Sequence, residues 1–127
     1  MGNILLVAMG GSVGAVARYL LSVRVTRLLG MTGWPYGTLI ANVLGGLLMG
    51  VLVSVLAHRG GGDERWRLLL GVGVLGGFTT FSAYSLELAL MIEKRAYGMA
   101  ALYAATSVVV SVGALFLGLL ATRRLLA

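Results

Sequence analysis

The fold of this chain is decided by the stretch Gly71-Val-Gly-Val-Leu-Gly-Gly-Phe-Thr-Thr-Phe-Ser-Ala-Tyr-Ser85. The stretch lies inside an apolar segment that is long enough to cross a bilayer, yet glycine and β-branched threonine are poor helix formers. In hydrocarbon, unwound backbone is tolerated only where protein covers it or where it lines a cavity. The stretch therefore predicts a membrane helix that is broken near its middle, at a site for an ion or a substrate.

The composition of the whole chain indicates a small integral membrane protein. Of its 127 residues, 59% are hydrophobic and 11% are charged, whereas a soluble domain has about a quarter charged residues. The net charge of +6 does not indicate nucleic acid, because the basic residues fall singly or in pairs between apolar runs. The absence of cysteine excludes disulfides and thiolate metal sites. The N-terminus lacks the positive region of a signal peptide, so we expect the first apolar run to be retained.

Four apolar segments each reach the ~20 residues that a bilayer crossing needs. We predict one all-α domain, residues 1–127, with crossings at about residues 4–23, 37–57, 67–92 and 96–121. Trp34 and Trp66 fall between crossings, where tryptophan commonly anchors a helix at the membrane interface.

The distribution of positive charge leaves the orientation in the membrane open. One side would hold five basic residues (Arg59, Arg65, Arg67, Arg123, Arg124) and the other side four (Arg24, Arg27, Lys94, Arg95). Either one orientation prevails by a small margin, or copies insert in both directions. Four crossings are few for a complete transport path, and many transporters combine two inverted units. We therefore favour an antiparallel homodimer.

Polar side chains recur at helical spacing in three of the crossings. In the second, Thr38 and Asn42 share a side with Gly45, Gly46 and Met49. In the third, Phe81 and Tyr84 share one face and Ser82 and Ser85 the next, and in the fourth Tyr103, Ser107 and Ser111 form a single stripe. A single hydroxyl is explained by a hydrogen bond between helices, but three stripes that converge favour a lined path. Hydroxyl and amide donors with aromatic ring edges suit a small anion, whereas a cation path more naturally shows rings of acidic residues.

Two charged residues near the crossings each have two interpretations. Glu87 is expected near the headgroups, paired with Lys94, Arg95 or a loop arginine, and the alternative is a buried proton carrier. Arg18 either extends towards the headgroups or faces an aqueous vestibule, where it would raise the local concentration of anions.

Three ordered motifs resemble those of the CrcB/Fluc family of fluoride channels. They are Gly10-Gly-Ser-Val-Gly-Ala-Val-Ala-Arg-Tyr19, Gly37-Thr-Leu-Ile-Ala-Asn-Val-Leu-Gly45 and Gly76-Gly-Phe-Thr-Thr-Phe-Ser82. The resemblance covers nearly the whole chain. It implies an antiparallel homodimer of four-helix subunits with two fluoride pores. It also implies a structural Na⁺ at the two-fold axis, bound by the backbone carbonyls of Gly76 and Thr79 from each copy.

The same resemblance assigns roles to individual side chains. Phe81 and Tyr84 match two phenylalanines that line fluoride sites, so Tyr84 departs from the family pattern by adding a hydroxyl. Ala83 stands where the family often has threonine. Asn42 matches the pore asparagine and Arg18 the first-crossing arginine. The remaining polar residues expected along the path are Thr38, Ser82, Tyr103, Ser107 and Ser111.

The function that this implies is passive export of fluoride across the inner (plasma) membrane by a multi-pass protein in contact with lipid. No nucleophile, base or nucleotide motif indicates an enzyme. An alternative is a small dual-topology, proton-coupled multidrug exporter, although such a protein normally has a carboxylate deep in its first crossing. A third class is a membrane scaffold whose polar stripes only join helices.

Overall fold

The computed structural model of the protein describes residues 1–61 and 64–127, and every regular element in these two ranges is helical. Helix α1 is Gly2–Leu29 and α2 is Tyr36–His58. Helix α3 covers residues 64–78, in which Arg67–Leu75 is wound as a π-helix between the short α-helical segments Glu64–Trp66 and Gly76–Phe78. Helix α4 is Phe81–Glu93 and α5 is Tyr97–Leu126.

Four helical segments are long and apolar enough to cross a membrane, namely α1, α2, the α3–α4 segment Glu64–Glu93, and α5. The predicted all-α membrane fold with a broken third helix is thus confirmed. The helices extend beyond most of the predicted crossings. For example, α1 continues to Leu29 rather than stopping near Val23.

The helices pack in two main pairs, α1 against α3 and α2 against α5. Glycines allow the backbones in both pairs to touch. A methyl group at Gly10 would overlap the Leu69 carbonyl oxygen, and one at Gly50 would overlap the Leu115 carbonyl oxygen. Helix α4 packs mainly on α5 and only slightly on α2. One face of α4 is therefore without a partner in the described part of the chain.

The glycines of the third crossing have a different role from the one that the sequence suggested. Gly71, Gly73, Gly76 and Gly77 all remain helical, and the chain leaves the helix only after Phe78. Gly73 lies so close to α1 that an added methyl would be 2.8 Å from the Cα of Gly10. Gly73 and Gly77 bring α3 against α1, and the two threonines that follow form the break.

The turn between α4 and α5 contains a residue that carries backbone strain. The Arg95 N–H donates to the Ile92 carbonyl at 2.9 Å and the Ala96 N–H to the Met91 carbonyl at 2.9 Å. This is the Schellman pattern, which places Arg95 at the position that glycine usually fills. Arg95 has a φ of +57°, in the left-handed region.

Replacing Arg95 by glycine should therefore stabilise the protein. A non-glycine residue in the left-handed conformation costs about 1–2 kcal/mol, and Arg95→Gly removes that strain. We expect a higher midpoint of thermal unfolding in detergent, followed by circular dichroism. Lys94→Gly is the matched control, because Lys94 is at φ −76° and should gain nothing. Equal midpoints for the two variants would contradict the prediction.

Candidate functional site at the break in the third crossing

The break consists of two consecutive residues in extended conformation. Thr79 has φ −80° and ψ 157°, and Thr80 has φ −150° and ψ 122°. The Thr80 hydroxyl accepts the Ala83 N–H at 3.1 Å and so caps the start of α4, as threonine does at many helix N-termini. The Thr79 hydroxyl donates to the Leu75 carbonyl at 2.9 Å. The Thr79 side chain thus hydrogen-bonds to the end of α3, and the Thr80 side chain caps the start of α4.

Asn42 of α2 holds the break in place. Its Nδ2 donates to the Thr80 carbonyl at 3.0 Å, and its Oδ1 accepts the Thr80 N–H at 2.8 Å. The side-chain amide therefore satisfies both backbone groups of the residue that has left the helix, which in hydrocarbon would otherwise be costly. An amide nitrogen has two hydrogens, so one donor of Asn42 remains available at the groove that it lines.

The break also frees carbonyl oxygens of the third crossing, among them those of Gly76 and Thr79. In a continuous α-helix, the carbonyl of Gly76 would accept the Thr80 N–H and that of Thr79 the Ala83 N–H. Here the Thr80 N–H goes to Asn42 and the Ala83 N–H to the Thr80 hydroxyl. Gly76 and Thr79 thus lose their helical donors, and Gly76 is exposed on the surface of the single chain.

Arg18 of α1 interacts with the same helix end. Its Nε donates to the Gly77 carbonyl at 3.3 Å, and the contact is partly buried. A cation at a helix C-terminus is favourable because the last carbonyls carry partial negative charge. Arg18 thus interacts with the end of α3, near the freed carbonyls of Gly76 and Thr79.

A groove of about 380 Å³ runs beside the break. Its lining includes Asn42, Phe81, Tyr84, Ser107 and Ser111. The hydroxyl oxygens of Ser107 and Ser111 are buried and make no hydrogen bond with the described residues. A buried hydroxyl without a partner is costly, so these two groups are available to a ligand in the groove.

Aromatic rings continue from the groove towards the loop between α1 and α2. The centroids of Phe81 and Tyr84 are 5.3 Å apart, as are those of Tyr84 and Tyr103. Trp34 follows, 5.7 Å from Tyr103 in an edge-to-face arrangement. Phe81 is 77% exposed in the single chain, whereas Tyr103 is 0% exposed. The series thus leads from the surface of the break into the buried interior.

At the inner end of this series lies a cluster of two hydroxyls and one carboxylate. Thr38 Oγ1 donates to Glu87 Oε1 at 2.6 Å, and the Tyr103 hydroxyl donates to Glu87 Oε2 at 2.7 Å. The prediction that Glu87 pairs with Lys94, Arg95 or a loop arginine is wrong within the described part of the chain, because both oxygens accept hydroxyls instead. The hydroxyls of Thr38 and Tyr103, both predicted to lie along the path, donate to this carboxylate.

The predicted site residues therefore fall into two connected groups. Asn42, Thr79, Phe81, Tyr84, Ser107 and Ser111 line the groove. Thr38 and Tyr103 lie around Glu87, and Tyr84 links the two groups through its contact with Tyr103. The hydroxyl of Ser82 lies 3.2 Å from that of Thr80, just beyond the break.

Two features of the site were missed from the sequence. Glu87 was assigned to the membrane surface, although its four-residue spacing from Ala83 and Met91 places it in line with the residues that face inward. Trp34 was interpreted only as an interfacial anchor. The Trp-Pro-Tyr run beside Thr38 was the available signal, because the short connection to α2 keeps these rings close to the start of that helix.

Comparison with known proteins shows the family of this chain. Residues 5–119 match the family model described as "CrcB-like protein, Camphor Resistance (CrcB)". A relative in Phenylobacterium zucineum (strain HLK1), named "Fluoride-specific ion channel FluC", is 66% identical, and the similarity covers 100% of both chains.

Relatives in two other organisms have the same name. The protein in Caulobacter vibrioides (strain NA1000 / CB15N) is 61% identical over 100% of both chains. The protein in Ruegeria sp. (strain TM1040) is 50% identical over 98% of this chain and 97% of the relative. With four membrane helices and a family match over nearly its whole length, this chain belongs to the CrcB family.

Proposed function

We propose that this protein is a fluoride-selective channel that exports fluoride by passive diffusion across the bacterial plasma membrane. Relatives that share 50–66% of their residues with it over almost their full length are named fluoride-specific ion channels. The observation in the structure that supports this function best is the groove beside the break, where buried hydroxyls and an amide hydrogen meet two aromatic rings.

The chemistry of the groove suits a small anion that loses most of its water. The groups available along it are the free amide hydrogen of Asn42 and the unpartnered hydroxyls of Ser107 and Ser111. Aromatic ring edges are weakly positive and add a further favourable surface. Because fluoride is small and accepts strong hydrogen bonds, these groups can replace its hydration, whereas a larger halide accepts weaker hydrogen bonds and gains less from them.

We further propose that two copies associate in opposite orientations. In a single chain, Phe81, Ser82 and the backbone of Gly76 are exposed on the side of the third crossing that has no partner in the described residues. A freed carbonyl facing lipid is costly, because nothing in hydrocarbon can donate a hydrogen bond to it. A second copy would cover this face, and inverted pairs are common among membrane transporters.

The freed carbonyls support a structural Na⁺ between the two copies. Gly76 and Thr79 would each present a backbone oxygen without its helical donor, so a pair of copies would offer four. Such oxygens are hard ligands, and unwound carbonyls at broken membrane helices bind Na⁺ in other transporters. The ion would supply positive charge near the path of the anion without moving along it.

Purified protein in liposomes tests the proposed function. With a potassium ionophore present to balance charge, a fluoride electrode should record rapid efflux of fluoride, while a chloride electrode records none. An absence of fluoride efflux from a folded sample would contradict the channel function and favour a membrane scaffold that transports nothing. Labelling of a single-cysteine loop variant in native membranes with a membrane-impermeant thiol reagent tests the inverted pair, since copies in both orientations would leave the cysteine reachable from each side.

Replacing Phe81 by isoleucine should lower fluoride efflux strongly while the protein stays folded. Isoleucine retains apolar bulk but has no ring edge, and Phe81 contacts only Tyr84 among the aromatic rings of the chain. We expect at least a tenfold reduction, about 1.4 kcal/mol in barrier height, with an unchanged elution volume on size exclusion. Phe116→Ile is the control, because Phe116 is exposed on α5 and has no part in the groove.

The opposite pattern would favour the proton-coupled exporter. That function predicts that Glu87→Gln abolishes transport while Phe81→Ile does not. Glu87 accepts one hydroxyl on each of its two oxygens. Glutamine keeps one acceptor oxygen and replaces the other by an NH2 group, so Glu87→Gln removes the carboxylate that a proton carrier needs while retaining one of the two hydrogen bonds.

A further inference from the structure

Trp34 lies over the cluster formed by Thr38, Glu87 and Tyr103. It is in the connection between α1 and α2, two residues before the start of α2. Its ring meets Tyr103 at an interplanar angle of 90° and packs against the buried residues around Tyr84. An edge-to-face pair of this kind is worth about 0.5–1.5 kcal/mol beyond the area that it buries. Trp34 thus fixes the ring whose hydroxyl donates to Glu87.

Two separate cavities reach Glu87, and Trp34 lines both. The smaller, of about 130 Å³, lies between α1 and α2 and is also lined by Ser22, Thr26 and Thr38. The larger, of about 490 Å³, lies towards α4 and is mostly apolar, with Met91 and Met99 in its wall. Trp34 borders both spaces together with Thr26, Gly30 and Pro35, so the indole forms part of the boundary between the polar cavity and the apolar one.

We propose that Trp34 is a positioning residue of the fluoride path, acting through Tyr103. It keeps the Tyr103 hydroxyl on Glu87 and separates the polar cavity from the apolar one, so that ions reach the cluster through the hydroxyl-lined side. This inference depends on the proposed channel function. Without the indole, the Tyr103 ring can turn away from Glu87, and the carboxylate loses one of its two hydroxyl donors.

Removing the indole should therefore slow fluoride efflux, and for the same reason as removing the Tyr103 hydroxyl. We expect Trp34→Ala to lower efflux about three- to tenfold, the change that corresponds to the loss of one aromatic contact. Trp34→Phe keeps a ring edge at this position and should stay within about twofold of the unmodified protein, since most of the contact is preserved. Trp34→Leu, which keeps apolar volume without a ring, should behave like Trp34→Ala and serves where the alanine variant does not fold.

A double-mutant cycle separates positioning from a general structural effect. If Trp34 acts through the Tyr103 hydroxyl, Trp34→Ala adds little to the defect of Tyr103→Phe. Trp66→Ala is the matched control, because Trp66 is a half-exposed tryptophan in a different connection and makes no ring contact with Tyr103 in the described part of the chain. It should leave efflux unchanged.

Three results would overturn the inference. They are normal efflux through folded Trp34→Ala and Trp34→Leu, equal defects in Trp34→Phe and Trp34→Ala, and effects of Trp34→Ala and Tyr103→Phe that multiply fully. Fluoride efflux through the unmodified protein, measured in the same experiment, distinguishes a failure of this inference from a failure of the proposed function. If the unmodified protein conducts no fluoride, the channel proposal fails, whereas fluoride efflux that is indifferent to Trp34 removes only the role of the indole.

Discussion

Fluoride efflux through Asn42→Ala should fall to the background of empty liposomes. The substitution removes both hydrogen bonds that hold Thr80, so that its N–H and carbonyl are left unpaired beside the groove. Each unsatisfied buried group costs about 1–3 kcal/mol, which is enough to change the conformation of the break. The amide hydrogen that Asn42 offers to the groove is lost at the same time. The measurement is efflux by electrode, with elution volume on size exclusion to show that the protein is folded.

Two further variants make this experiment specific. Asn3→Ala is the matched control, because Asn3 is exposed near the N-terminus and should leave efflux unchanged. Asn42→Asp keeps an acceptor for the Thr80 N–H but loses the donor to the Thr80 carbonyl and adds a negative charge. It should also be inactive. Substantial efflux through either Asn42 variant would contradict the assigned role of this side chain.

Gly14→Ala should prevent the protein from folding. An added methyl group would overlap the carbonyl oxygen of Val74 and would lie 2.8 Å from the backbone nitrogen of Phe78. Both contacts are with backbone, which has no rotamer to change, so α1 and α3 would have to separate. Overpacking of this kind costs about 1–3 kcal/mol, or more where the backbone itself has to shift. We expect most of the protein to elute as aggregate after extraction in detergent.

The matched control for this prediction is Gly113→Ala. Gly113 lies on α5, and an added methyl there would have nothing within 4 Å. Because alanine favours a helix over glycine by about 1 kcal/mol, this variant should elute as a single folded species and unfold at a higher temperature. Similar elution profiles for the two variants would show that the contact between α1 and α3 is not tightly packed.

The sequence predicted the broken crossing well because the rule behind it is strict. In hydrocarbon, a run of glycines, threonines and hydroxyl residues inside an apolar segment has few permitted conformations. The exact position of the break was harder to predict from the sequence. The four glycines have poor helix propensity but stay helical, two of them in close contact with α1, whereas Thr80 leaves the helix and binds Asn42 of another helix. Such a contact between helices has no signature in local propensity.

The polar stripes likewise show that spacing predicts which residues share a helix face but not which residues of other helices they contact. Helical spacing placed Ser107 and Ser111 on one side of α5, and both line the groove. Spacing did not reveal that Thr38 and Tyr103 donate to Glu87, since the three residues come from three different helices. A carboxylate near the end of a crossing was assigned to the nearest cations along the chain, although hydroxyls from other helices lie closer in space.

The attachment of Thr80 to Asn42 has a consequence for assembly. Both residues belong to one polypeptide, so the bend in the third crossing is complete before a second copy arrives, whichever way the first has entered the bilayer. Pairing would then join two finished halves and require no refolding at the axis. In the proposed antiparallel pair, copies inserted in either direction would therefore be equally ready to associate.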